Sequence, residues 1–132
     1  MTRNILIIDD DLTLSEELTE VIREEGYNVS VANDGDVGLK MIDRGNYDVV
    51  LLDLKMQKMS GIEVLKKLRG RKRPFKIIVL TGRPIEGDAL ENGGLKNDEK
   101  KALETADSVV AKPFDVEELV KKIREIISDS GS

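Results

Sequence analysis

The chain has no cysteine and no histidine among its 132 residues. The first absence excludes disulfides and thiolate metal sites. The second excludes imidazole catalysis and histidine-bound zinc. Any metal must therefore be held by oxygen. No apolar run approaches the length needed to cross a membrane. The first apolar segment, Ile5–Ile8, is far too short for the core of a signal peptide. Nor is there an excess of positive charge: 21 Lys+Arg against 26 Asp+Glu leave a net charge of −5 and a pI near 4.9. That balance argues against direct nucleic-acid binding by the domain. The expectation is a single cytoplasmic domain without membrane contact, because 132 residues suffice for a core that folds unaided.

What is present is organised around Tyr47–Gly61. Val49-Val50-Leu51-Leu52 is a continuous apolar run, short and β-branched at its start, as expected of a strand covered on both faces. Asp53 ends it. A lone aspartate after a strand ordinarily just opens a turn, but here the other strands also end in chemistry. Asn4–Ile8 leads into Asp9-Asp10-Asp11, Lys76–Leu80 ends at Thr81, and Ser108–Ala111 runs into Lys112-Pro113. Val29–Ala32 is a further strand, left through the turn Asn33-Asp34-Gly35.

Helical signals fill the gaps. Thr13-Leu14-Ser15-Glu16 reads as a capping box, with Leu14, Leu18, Val21 and Ile22 on one face and Gly26 as the stop. Val37, Leu39, Met41 and Ile42 mark a weaker helix ended by Gly45. Ser60-Gly61-Ile62-Glu63 is a second capping box, Met59 and Val64 fit a hydrophobic staple, and Ile62, Leu65 and Leu68 give the apolar face. The basic cluster Arg69–Arg73 reads as a solvated helix end, not a nucleic-acid contact. Gly82–Asn97 holds four glycines and no helical periodicity, so it reads as a long loop before a short helix at Asp98–Glu104. Asp115 caps the last helix, whose stripe is Leu119, Val120, Ile123, Ile126 and Ile127. Residues 1–128 are expected to form the domain and 129–132 a disordered tail or linker remnant. Five strands alternating with five helices predict a doubly wound α/β sandwich on a five-stranded parallel sheet. Such sheets carry their site at the carboxyl ends of the strands.

At those ends the sequence offers Asp9 and Asp10, Asp53, Thr81 and Lys112. Three converging carboxylates repel one another unless a cation sits among them. With only oxygen donors, the site selects a hard ion, Mg²⁺ or Mn²⁺. A hydroxyl at Thr81 and an ammonium at Lys112 are the donors a phosphoryl group needs on its other side. The set describes a site that moves a phosphoryl group onto Asp53. Asp11 reads as the start of the first helix and not as a ligand.

From Ile5 to about Ile127 the chain resembles the receiver domain of two-component response regulators. The resemblance rests on Ile-Ile-Asp-Asp-Asp at 7–11, Asp-Val-Val-Leu-Leu-Asp-Leu-Lys-Met at 48–56, Ser-Gly-Ile-Glu-Val-Leu at 60–65, Thr81-Gly82, and Ala111-Lys112-Pro113-Phe114. It implies a flavodoxin-like sandwich of strand order 2-1-3-4-5, with Asp53 as phosphoacceptor and Asp9 and Asp10 as the acidic pair. Asp10 would bind Mg²⁺ directly and Asp9 mainly through water, and Lys55 would add its backbone carbonyl. Thr81 would be the switch hydroxyl, Lys112 would contact the phosphoryl oxygens, and Lys112–Pro113 would be cis. The implied partners are a histidine kinase or histidine phosphotransfer protein and an output protein or C-terminal effector domain, with dimerisation on phosphorylation. Output would leave through the loop after the fourth strand and the face formed by the following helix, the fifth strand and the last helix.

Three departures stand out. Gln57 replaces the family's usual proline, Val109 replaces a common Tyr or Phe, and Thr81 to Lys112 spans 31 positions, longer than usual. By the same resemblance Lys55 and Arg83 would border the path of attacking water, and neither offers an acid or amide to orient it, which predicts a long-lived phosphoryl group. Rival readings meet obstacles. An aspartate-nucleophile phosphatase carries Asp-x-Asp, and position 55 is Lys. A flavin or nucleotide binder needs a phosphate-cradling loop where this chain has three aspartates. A pseudo-receiver, an interaction module that is never phosphorylated, has no need of the complete set of site residues.

Overall fold

In the computed structural model, residues 2–71, 73–82 and 97–131 are described, 97–99 and 129–131 by backbone alone. Five strands, β1 (Asn4–Ile8), β2 (Asn28–Ala32), β3 (Val49–Asp53), β4 (Lys76–Thr81) and β5 (Ser108–Ala111), pair in parallel in the order β2-β1-β3-β4-β5. Helices α1 (Leu12–Glu24), α2 (Gly35–Arg44), α3 (Gly61–Leu68), α4 (Asn97–Leu103) and α5 (Val116–Gly131) connect or follow them. This is the doubly wound sandwich that the sequence predicts.

The third strand, apolar up to Asp53, sits at the centre, and all five of its residues are buried; its neighbours β1 and β4 are also covered on both faces over most of their length. Alternate residues of the strands feed two cores. Leu6, Ile8, Val50, Leu52, Ile77 and Val79 face α2, α3 and α4, packing on Val64, Leu65, Leu68, Ala102 and Leu103. Ile5, Ile7, Val49, Leu51, Ile78 and Leu80 face α1 and α5, packing on Leu18, Ile22, Leu119, Val120, Ile123 and Ile127. Each buried Leu, Ile or Val contributes roughly 1.5–3 kcal/mol relative to exposure, so the two layers fix the strand ends firmly in space.

The caps need one correction. Helix α1 is not opened by the box at Thr13: Asp11 is its N-cap, accepting the Leu14 N–H at 3.1 Å, and the helix begins at Leu12. Asp11 competes better because it follows the strand end directly and its side chain meets the third N–H of the helix. Gly26, at φ +95, continues the chain out of α1 in the left-handed region that favours glycine. Ser60 caps α3 as read, accepting the Glu63 N–H at 3.2 Å. The Asp115 side chain accepts the Glu117 N–H at 3.0 Å at the start of α5. That helix reaches Gly131 and so runs through most of the segment expected to be a tail. In the basic cluster, Arg71 pairs with Asp43 at 3.0 Å and Arg73 with Asp107 at 3.2 Å. Among the described residues of the cluster, only Arg69, the C-cap of α3, stands at the helix end as read; Arg73 lies beyond it, before β4, and is largely buried. Of the stretch expected to form a long loop, residues 83–96 lie outside the described residues, as does Lys72 of the basic cluster.

Candidate functional site

Strand order brings the predicted residues together. Because β1 and β4 both flank β3, the residues following Ile8, Leu52 and Leu80 emerge side by side at one end of the sheet. Asp9, Asp10 and Asp53 each offer a carboxylate oxygen within 4.8 Å of the others, Asp10 being the most exposed of the three. Asp9 is fully buried and Asp53 nearly so, at 4% exposed. Thr81, also 4% exposed, lies one residue past the partner of Asp53 on β4. The backbone N–H of Lys112 donates to the Thr81 carbonyl at 2.6 Å, which extends the β4–β5 ladder and brings the lysine to the same end. Its ammonium reaches Asp53 Oδ1 at 3.4 Å and Asp9 Oδ2 at 4.0 Å. The Lys112–Pro113 bond is cis, as the resemblance implies. Lys55 lies exposed on the loop after β3.

The electrostatics of this cluster are unbalanced. Asp9 Oδ1 accepts the Asp11 N–H at 2.9 Å, whereas Asp9 Oδ2 is buried without a hydrogen-bond partner. Burial pushes the Asp9 carboxyl up from 3.8 to about 6; the Asp11 N–H opposes this, the Asp53 charge adds to it, and the Lys112 ammonium opposes it. One ammonium at the rim does not balance three carboxylates. A buried, unmet carboxylate oxygen facing two more acids is the environment that a hard cation satisfies, so the donor set fits Mg²⁺.

The loop joining β3 to α3 shapes the other wall. Met56 is buried in the core beside α3, and Gly61 starts the helix directly against the end of β3. A Cβ on Gly61 would stand 2.7 Å from the Leu54 Cα, and the Asp53 carbonyl oxygen is nearer still. Only glycine allows α3 to begin this close beneath Asp53. Between these anchors, the Gln57 backbone N–H donates to Asp10 Oδ2 at 3.1 Å. Sequence reading gave Gln57 no such part, because a main-chain donor leaves no mark on residue identity. Its one trace is that the position is not proline. The anchoring of Met56 was equally silent. Val109, at the position of the family's usual aromatic, is 43% exposed.

Comparison with known proteins agrees with this geometry. The family model for the response regulator receiver domain matches residues 5–124. The transcriptional regulatory protein CpxR of Escherichia coli K12 is 40% identical over 129 residues, covering 96% of this chain and 50% of CpxR. The chain spans about half the length of the curated relatives it matches. Among solved structures, the CheY-like receiver domain protein of Methanospirillum hungatei superposes with a TM-score of 0.83 at 29% identity, over 99% of this chain and 98% of that one. The response regulator TrrA of Thermotoga maritima, solved in complex with Mg²⁺-BeF, gives a TM-score of 0.77 at 34% identity, over 95% and 99%. With the family match running through all five strands and into the last helix, the chain belongs to the response regulator receiver domains of two-component signalling.

Proposed function

We propose that the domain takes a phosphoryl group onto Asp53 from a histidine kinase or histidine phosphotransfer protein, in a reaction that needs Mg²⁺ or Mn²⁺. The observation that carries this reading is the pairing of three carboxylates within 4.8 Å with Lys112, whose ammonium reaches both buried ones. Asp9, Asp10, Asp53 and the Lys55 backbone carbonyl would hold the ion. When bound, it would neutralise the acids and draw charge from the phosphoryl oxygens in transit.

The chain's own residues do the rest. An Asp53 carboxylate oxygen forms a bond to phosphorus as the phosphorus–nitrogen bond of the donor histidine breaks, and the imidazole nitrogen keeps the electron pair. Lys112 turns from Asp53 to a phosphoryl oxygen, a short move for an ammonium already 3.4 Å away. The Thr81 hydroxyl donates to a second oxygen, an interaction that exists only in the phosphorylated state and so favours that state. Asp53 itself is 4% exposed, which limits access of water to the acceptor carboxylate. These groups act on the domain's own carboxylate, and the domain turns over no free substrate. TrrA has also been solved in complex with the histidine kinase ThkA, which supports a kinase as the donor here. Output would leave through residues 82–97 and the face of α4, β5 and α5 toward an output protein or effector domain, with dimerisation on phosphorylation.

Incubation with Mg²⁺ and acetyl phosphate, read by intact mass, tests this. One acid-labile phosphoryl group is expected on the wild-type chain and none on Asp53→Ala. Stoichiometric label persisting in that variant would overturn the assignment.

A further inference from the structure

The loop Leu54–Ser60 holds one contact that a receiver with proline at position 57 cannot make. Gln57 N–H donates to Asp10 Oδ2 at 3.1 Å, and proline has no N–H to donate. Asp10 is the acid of the cluster that burial does not hold in place, since Asp9 and Asp53 are enclosed and Asp10 is not. Left free, its side chain would swing away from two like charges. The loop is anchored on one side of the donor and makes an exposed ion pair on the other. Met56 is buried in the core, and Lys58 reaches Asp34 Oδ2, on the N-cap of α2, at 3.9 Å. These residues enclose a cleft of about 250 Å³ with Asp10 on its wall.

We infer that the Gln57 backbone amide is a positioning group for the metal site: it holds Asp10 turned toward Asp9 and Asp53, so the cation meets a preformed set of oxygens. The inference rests on the metal-site reading proposed above. A hydrogen bond to one carboxylate oxygen leaves the other available as ligand, and such supporting contacts fix ligand orientation. The amide acts through Asp10 and touches neither the phosphoryl group nor Asp53. The Gln57 side chain plays no part in this, so the two properties of residue 57 separate by mutation. Gln57→Ala keeps the donor, and Gln57→Pro removes it.

The test is calorimetric titration with Mg²⁺ alone on the wild-type chain and both variants, with circular dichroism confirming the fold of each. Wild type and Gln57→Ala should bind alike, while Gln57→Pro should bind about tenfold more weakly, the lower end for loss of a ligand's supporting contact. Equal affinity in Gln57→Pro, or an equal loss in Gln57→Ala, would overturn the inference. Amide hydrogen exchange on the wild-type chain gives a second reading that needs no variant to fold. Gln57 should exchange more slowly than the exposed Lys58 with Mg²⁺ present, and unprotected exchange at Gln57 would likewise overturn it. A wild-type chain that takes up no Mg²⁺ would sink the metal-site reading itself, and this inference with it. The failure of the positioning role alone shows instead as wild-type binding that Gln57→Pro retains.

Discussion

Replacing Asp9 by asparagine should make the metal-free protein more stable. The reason is the sign of the Asp9 shift. Its carboxyl is raised from 3.8 to about 6 on folding, so folding disfavours the charged form. Well below pH 3.8 the group is protonated in both states and nothing is lost. As pH rises through the interval between the two values, the unfolded chain ionises freely while the folded one resists, and stability falls. Above the folded value the penalty is complete, at about 3 kcal/mol for a shift of this size. An asparagine side chain escapes the penalty, and its amide oxygen can still accept the Asp11 N–H that Asp9 Oδ1 takes at 2.9 Å. In chelator at pH 8 we expect Asp9→Asn to be more stable by about 2–3 kcal/mol, or roughly 6–12 °C in Tm for a chain this size. At pH 4.5 only about 1 kcal/mol of that gain should remain. Mg²⁺ should close the gap from the other side, since it stabilises wild type by about 2.7 kcal/mol at a hundredfold excess over Kd and has lost a ligand in the variant. Urea unfolding at the two pH values, with and without Mg²⁺, measures all of this. A variant less stable than wild type in chelator at pH 8, or a gain independent of pH, would refute the reasoning.

Three further outcomes follow from the same structure. Asp10→Ala should weaken Mg²⁺ binding by at least about tenfold while leaving the metal-free fold as stable or firmer, since it removes one of three like charges; calorimetry and thermal melts check the two halves, and retained affinity would contradict the ligand set. Gly61→Ala should destabilise by about 2–3 kcal/mol, because the added Cβ meets the backbone of Asp53 and Leu54, which cannot rotate away; a urea-measured loss under about 0.5 kcal/mol, typical of an indifferent surface site, would show that α3 can shift. Asp48→Ala should cost about 1–2 kcal/mol at neutral pH, since Asp48 accepts the Asn4 N–H at 2.8 Å and pairs with Arg3 at 3.3 Å; a neutral or stabilising result would contradict its structural role.

The fold and the convergence of the candidate site residues were legible in the sequence for the same reason: both lie in residue identity. A strand buried on both faces must be apolar throughout, so Val49–Leu52 could be placed at the sheet centre without coordinates. Charged and hydroxyl side chains immediately after such runs can emerge only at the strands' carboxyl ends, which gave Asp9, Asp53, Thr81 and Lys112. What the sequence hid was main-chain geometry. Asp11 and Thr13 both have capping chemistry, and the choice between them depended on how soon the chain turns after β1. The Gln57 donor is a backbone atom that any residue except proline supplies. The orphaned oxygen of Asp9 depends on which neighbours approach it, a matter of packing and not of composition.

The two ends of the sheet show how a functional acid differs from a structural one. At the amino end, Asp107 precedes β5 and its Oδ2 accepts the Ile77 N–H at 2.8 Å and an Arg73 N–H at 3.2 Å, while Lys76 approaches Oδ1 at 3.9 Å. Asp48 precedes β3 and is met at both oxygens, by the Asn4 N–H and by Arg3. Arg73 is held in turn by the Thr105 carbonyl at 2.6 Å and lies over the Phe75 ring. At the carboxyl end the same residue type is more deeply buried and worse served: Asp9 has one hydrogen bond and one oxygen with none. Donors are abundant in the chain, with 21 lysines and arginines, yet Lys112 is the one whose ammonium pairs with Asp9 and Asp53 among the described residues. A second lysine or arginine there would offset the remaining negative charge, and its side chain would fill the space among the three carboxylates that a metal ion could take. The unmet charge at this end is thus what a metal ion could neutralise, while the aspartates at the other end are already satisfied by the chain's own donors.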